Sequence, residues 1–190
     1  DIYTVPSTGG RATQITTNPA FDTEPVWSPD SKQIAFASDR MGSLDVFVVS
    51  SEGGAPQRLT THSGSEKPVA YKDNKHILFT ANIAPSAEDA GFPSGQFQQV
   101  YEVAVTGGRP AMSSSMPMEC ISINKEGVML YQDKKGYEDY WRKHQVSPIA
   151  RDIWTYTPGE KPVYQKQTTF VGEDREPVWS PDGKSFYYLS

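Results

Sequence analysis

The stretch EPVWSPDSK at residues 24–32, with its near copy EPVWSPDGK at 176–184, decides the reading of this chain. Each is followed at once by an apolar run, QIAFAS at 33–38 and SFYYLS at 185–190. In Ser28-Pro29-Asp30-Ser31 and Ser180-Pro181-Asp182-Gly183, proline presets φ at the second turn position and aspartate bonds its own backbone. Serine or glycine tolerates the exit geometry, so each motif predicts a tight hairpin between two strands. Within QIAFAS, Ile34 and Phe36 point one way while Ala35 and Ala37 point the other. Both faces are apolar, so this strand needs cover on both sides.

The same unit recurs along the whole chain. DIYTV starts at Asp1, DVFVV at Asp45, QVYEV at Gln99 and DIWTY at Asp152, so the starts fall 44, 54 and 53 residues apart. A double-glycine turn follows at Gly9-Gly10, Gly53-Gly54 and Gly107-Gly108, degenerating to Gly159-Glu160 in the last copy. Next come short polar segments rich in threonine, QITT, RLTT and QKQTTF. Then KPVAYKDNK at 67–75 repeats the proline motif, and ISINKEG at 121–127 keeps the turn without the prolines. HILFTA and VMLYQ repeat the apolar run. A four-part period of this length, with no sustained helical periodicity, reads as all-β: a β-propeller of four-stranded antiparallel blades, about four repeats, forming an arc of a larger ring. Residues 1–190 are read as a single propeller fragment, running from the third strand of one blade to the second strand of another.

Composition narrows the classes. Mean hydropathy is −0.57 and 36% of residues are hydrophobic, which suits thin, repeated cores. No apolar run approaches the roughly 20 residues that a membrane-spanning helix needs. Net charge is −5 without a lysine- or arginine-rich patch, which argues against nucleic acid as a partner. Cys120 is the one cysteine, so the chain has neither an internal disulfide nor a thiolate metal cluster. The chain opens on Asp1 with no signal peptide in view, and reads as an excised fragment or a trimmed mature protein.

The PVWSPDGK-plus-apolar-strand-plus-DIW unit resembles the WD40-like PD40 repeat of TolB, of tricorn protease propellers and of prolyl-oligopeptidase-type propellers. The Gly-His and Trp-Asp pairs of WD40 proteins proper are absent. The stretch KGYEDYWRKH at 135–144, with ARDIW at 150–154 and FVGEDREPVW at 170–179, resembles the amino-terminal propeller of tricorn-type peptidases. That resemblance implies a non-catalytic propeller that filters or channels peptides, or docks partners, for a serine peptidase domain elsewhere in the parent polypeptide. The alternatives are a TolB-like periplasmic protein-binding propeller and the gating propeller of a prolyl-oligopeptidase or dipeptidyl-peptidase type of hydrolase. Bacterial relatives of all three kinds are often exported, which points to the periplasm ahead of the cytoplasm.

The residues themselves offer little for catalysis. A hydrolase needs a nucleophile, a base and an orienting acid brought together. The three histidines are His62, in a surface segment, His76, at a strand entry, and His144. Ser28 and Ser180 belong to structural turns, no GxSxG elbow exists, and no histidine or cysteine spacing suits a metal. No cofactor or metal is implied. Cys120 sits in an apolar strand and is expected to pack inside. Trp27 and Trp179 recur at one blade position, as a structural slot does, and are expected to pack between blades. Asp1, Asp45 and Asp152 recur likewise and are expected to tie strand starts to neighbouring loops.

What does not repeat is more informative. The link between second and third strands is short at 39–44 but expands to 83–98 and 133–151 in the next two copies. Those insertions hold Phe92 and Phe97, then Tyr137, Tyr140, Trp141, Arg142 and His144, the candidate binding residues. Loops carry recognition on rigid scaffolds, and aromatics with arginine anchor contacts. The competing reading is that each insertion folds back as a plug against a blade. Both occupy the same step of the blade and are therefore expected on one face of the propeller. The partners implied are peptides or a protein, the rest of the parent polypeptide, and further copies of the chain at open blade edges.

Overall fold

The computed structural model describes residues 1–83, 98–135 and 148–190. These form strands, turns and irregular links, with no helix among the described residues. They divide into two compact units, residues 1–83 with 99–115, and residues 116–135 with 148–190.

In the first unit, β1 (Tyr3–Thr4) and β2 (Thr13–Gln14) form an antiparallel pair. A four-stranded blade follows: β3 (Asp22–Trp27), β4 (Gln33–Ser38), β5 (Asp45–Ser50) and β6 (Gln57–Arg58). The next blade is β7 (Lys67–Asp73), β8 (His76–Ala81), β9 (Gln99–Ala104) and β10 (Ala111–Ser114). In the second unit a third blade comprises β11 (Met118–Ile123), β12 (Met129–Asp133), β13 (Ile153–Thr157) and β14 (Val163–Lys166). There β15 (Arg175–Trp179) pairs with β16 (Phe186–Leu189). All pairings are antiparallel between consecutive strands, as the repeat predicts.

The second strands are the spine of each blade. In β4, residues 34–38 are all buried, and Ile34↔Val49 and Phe36↔Phe47 fix its register with β5. Ile34 and Phe36 join Ile2, Ile15, Phe47 and Val49 in a core shared with β1 and β2. Ala35, with Val46 and Val48, faces the next blade and meets Tyr71, Ile77, Phe79 and Tyr101. Small residues thus oppose large ones across one interface, which lets the sheets interdigitate without voids. The pair stacked at 5.9 Å as Phe36 and Phe47 reappears at 5.7 Å as Phe79 and Tyr101.

The first hairpin of every blade is closed by one polar side chain. Ser28 Oγ accepts from the amides of Lys32 (3.1 Å) and Gln33 (2.9 Å) and donates to Asp30 Oδ1 at 2.8 Å. Ser180 does the same with Asp182 and Ser185. The serine hydrogen bonds hold both Asp30 and Asp182 below the usual carboxylate range. Where the SPD motif is lost, Asp73 takes over by accepting from the Lys75 and His76 amides, and Asn124 from those of Glu126 and Val128. At the next corner, Gly9, Gly53 and Gly107 adopt φ of +84°, +89° and +82°, a region open to glycine at little cost.

Two expectations need correction. Cys120 is exposed, because β11 bulges between Glu119 and Ser122 and Cys120 sits there at φ 51°. Glu24 (φ 51°) and Glu176 (φ 52°) occupy the matching bulges of β3 and β15. A bulge re-aims its extra residue away from the pleat, and apolar neighbours in sequence could not reveal it. Trp179 fills a slot against the preceding blade, its Nε1 donating to Val128 O at 3.2 Å and its ring meeting Phe186 edge-on. Trp27 is 51% exposed instead. The blade before it contributes only β1 and β2, so the first hairpin that receives Trp179 has no counterpart there.

Ser28 is buried and serves three partners, so Ser28→Ala should cost about 1–2 kcal/mol. Urea unfolding should show the lower midpoint with an unchanged slope; an unaltered midpoint would mean that water replaces the hydroxyl.

Candidate binding surface

The strand starts carry a repeated polar device. After β2, β6 and β14 a threonine accepts a hydrogen bond from the second residue of the third-strand motif. The bonds are Thr16 from the Ile2 amide (2.9 Å), Thr60 from Val46 (2.9 Å) and Thr168 from Ile153 (3.1 Å). Two residues before each threonine, a fourth-strand side chain meets the preceding aspartate: Gln14 on Asp1 (3.0 Å), Arg58 on Asp45 (2.8 Å) and Lys166 on Asp152 (2.9 Å). The recurring aspartates thus tie third strands to fourth strands within a blade. A second set of carboxylates was not singled out in the sequence: Asp22, Glu66 and Asp174, all buried where the chain enters the next first strand. Their signal was an acidic residue two positions before the Glu-Pro or Pro of the repeat.

First strands of neighbouring blades pack together, β3 on β7 and β11 on β15. In a propeller such strands stand nearest the central channel. Lys67 of β7 reaches Glu24 of β3 at 2.7 Å, a pair open to solvent on both sides.

The long connections leave the blades at second-strand ends. Phe92, Phe97, Tyr137, Tyr140, Trp141, Arg142 and His144 lie outside the described residues, and so does the placement of both insertions on one face. Their roots are described. Tyr101 donates from its hydroxyl to Ile83 O at 3.2 Å beside the first. At the second, Asp133 accepts from the Asp152 amide (2.8 Å) and from Trp154 Nε1 (3.1 Å), while its own amide donates to Asp152 O (3.0 Å). Lys135 binds Asp152 and donates to Ala150 O at 2.7 Å.

A charged collar surrounds that root. Lys134 and Arg151 both meet Glu119, at 2.7 and 3.2 Å, and Arg151 also holds Glu173. Burial works against the charged form of Asp152, yet hydrogen bonds from Lys135 and Lys166 hold it below the usual carboxylate range. Burial likewise opposes ionised Glu119, and Lys134, Gln132 and Arg151 outweigh it. Beside the collar lies a cleft of about 360 Å³ whose walls include Lys135, Asp152, Lys166, Phe170 and Val171. Ammonium groups and apolar surface adjoin there.

The histidines within the described residues have local roles. His62 Nδ1 accepts from the Gly64 amide at 3.0 Å, and His76 Nδ1 lies 3.0 Å from Asp73 on the surface. No group of three or more histidine, cysteine, aspartate or glutamate side chains is arranged for a metal among the described residues.

Twisted four-stranded antiparallel blades packed through doubly buried second strands define a β-propeller domain. The family described as the tricorn protease N-terminal β-propeller domain matches residues 1–190, and the chain belongs to it. The chain is also 40% identical over 63 residues to the uncharacterized peptidase YuxL of Bacillus subtilis, covering 32% of this chain and 10% of that protein. The crystal structure of TolB from Acinetobacter baumannii superposes with a TM-score of 0.74 at 16% identity, over 99% of this chain and 42% of that one. The crystal structure of the tricorn protease gives 0.65 at 15% identity, over 95% and 20%. At those identities the two structures establish the fold. The chain spans less than half the length of each of these proteins.

Exposure of Cys120 makes a direct prediction. One thiol should react with an aromatic disulfide reagent in the folded chain at close to the rate seen in denaturant. Protection until unfolding would restore the packed reading.

Proposed function

We propose that this chain is a non-catalytic propeller domain of a tricorn-like peptidase, holding or guiding peptide or protein segments for a catalytic domain elsewhere in the parent polypeptide. The observation that carries this reading is the contrast between repeated and unrepeated positions. Every repeated polar residue described above serves the blade itself: Ser28 and Ser180 close hairpins, and Thr16, Thr60 and Thr168 bind strand starts. Variation is concentrated in the second-to-third-strand insertions, whose aromatic and basic residues suit extended peptides. The charged root at Lys135, Arg151 and Asp152 is built onto strands, which gives such a site a firm base.

The exposed apolar residues of the outer strand pairs fit the same role. Tyr3 and Val5 are more than half exposed in the first unit, and Val178, Tyr187 and Leu189 in the second. A blade of four strands covers such faces, so they suit contact with the remainder of the parent or with another copy.

The purified chain, incubated with a mixed peptide library, should retain a subset of peptides on size exclusion and leave every peptide intact by mass spectrometry. Replacing Tyr140 and Trp141 with alanine should weaken retention at least about tenfold, the loss of one good anchor. Cleavage that copurifies with the chain would overturn the non-catalytic assignment, and undiminished retention by the double variant would move the binding site elsewhere.

A further inference from the structure

The junction between the two complete blades of the first unit sets two buried carboxylates against a single cation. Glu66 lies immediately before β7 and is 1% exposed, and its amide donates to Leu44 O at 2.7 Å. This brings the start of one blade onto the head of β5 in the blade before, where Asp45 is wholly buried. Two carboxylates therefore share one dry junction. The groups around them are Arg58 from β6, 2.8 Å from Asp45, the Thr60 hydroxyl, and the backbone of His62. Arg58 is the one cation that meets this pair among the described residues, and neither Glu66 oxygen has a hydrogen-bond partner there.

Asp22, Asp1 and Asp152 are supplied differently, whereas Asp174, the counterpart of Glu66 in the second unit, is likewise buried with neither oxygen hydrogen-bonded. Asp22 pairs with Arg40 at 2.9 Å, and Asp1, at the position matching Asp45, stands in solvent. Burial opposes the charge on Asp22, but Ser38, Thr16 and Arg40 outweigh it and keep its carboxyl below the usual range. Asp152, the counterpart of Asp45 in the second unit, has both Lys135 and Lys166. At Asp45 and Glu66 two negative groups meet one guanidinium. An isolated charge in so dry a place is costly, and such a group takes up a proton instead.

We propose that a single proton, held on Glu66 against Asp45, closes the junction between the first two complete blades, and that losing it loosens the packing of β7 on β3. Desolvation, with the Asp45 charge adding to it, outweighs the opposing Thr60 hydroxyl and His62 backbone and pushes the Glu66 carboxyl up to about 7. The folded state thus binds one more proton than the unfolded chain between about pH 4.5 and 7. Stability is fully present below that window and falls as pH rises through it. The adjoining Lys67 pairs with Glu24 across the same two first strands, so the loosening acts between β3 and β7.

Thermal unfolding of the full chain, with Glu66→Gln and Arg40→Gln as matched variants, is the test. Wild-type Tm should drop by about 3–8 °C between pH 5.5 and 8.5. Glu66→Gln, which keeps the shape and removes the titration, should lose most of that slope and exceed wild type at pH 8.5. Arg40→Gln should be less stable at every pH while keeping the slope. If Glu66→Gln retains the wild-type slope, the proton is not on Glu66 and the proposal fails. Should that variant not fold, infrared difference spectra of the wild-type chain decide: a carboxylic-acid C=O band should disappear near neutral pH. Absence of any such band above about pH 6 overturns the proposal.

Discussion

Two-sided burial of the second strand in each four-stranded blade is the constraint on which the structure depends. A strand such as QIAFAS has no polar face to offer water, so it folds only where a sheet lies on either side. Ile34 and Phe36 are committed to the core with β1 and β2, and Ala35 to the core with β7, β8 and β9. Truncating a side chain such as Phe36 would cost about 3–5 kcal/mol and would be felt in the neighbouring blade as well as its own. Hairpin locks, glycine corners and threonine ties all serve to present this strand to its neighbours.

That dependence explains where polar groups are allowed. Carboxylates at the blade heads are buried because the chain must cross from one fourth strand to the next first strand over a covered core. Some are accommodated by a cation drawn from a nearby strand, as with Arg40 for Asp22 and the lysine pair for Asp152, while the oxygens of Glu66 and Asp174 lack a hydrogen-bond partner. Exposed pairs such as Lys72–Glu102 contribute little to stability by comparison.

The strand order, the hairpins and the three complete blades were legible because turn chemistry and double-sided apolar runs repeat with a fixed spacing. Bulges were not legible: Glu24, Cys120 and Glu176 share a backbone conformation but no side-chain type, so Cys120 read as a core residue. Tyr71 takes the register position of Trp27 opposite the second strand, pairing with Ile77 as Trp27 pairs with Ile34, although the aligned motif places Ala70 there. Buried Glu66 escaped notice because an acidic residue beside lysine looks like a solvated strand end. Aromatic and basic residues of the insertions stood out by composition, while the collar at their root emerged only when Glu119, Lys134, Arg151 and Glu173 came together from separate segments.

The central claim is that the repeated framework holds the blades and the unrepeated connections meet the ligand. Hydrogen–deuterium exchange with and without a retained peptide tests it most directly. Protection should increase at residues 81–99 and 131–153, with β4, β5 and the SPD turns unchanged. Protection centred on β4 and β5 or on the hairpins at Ser28 and Ser180, with those two connections unaffected, would contradict the account.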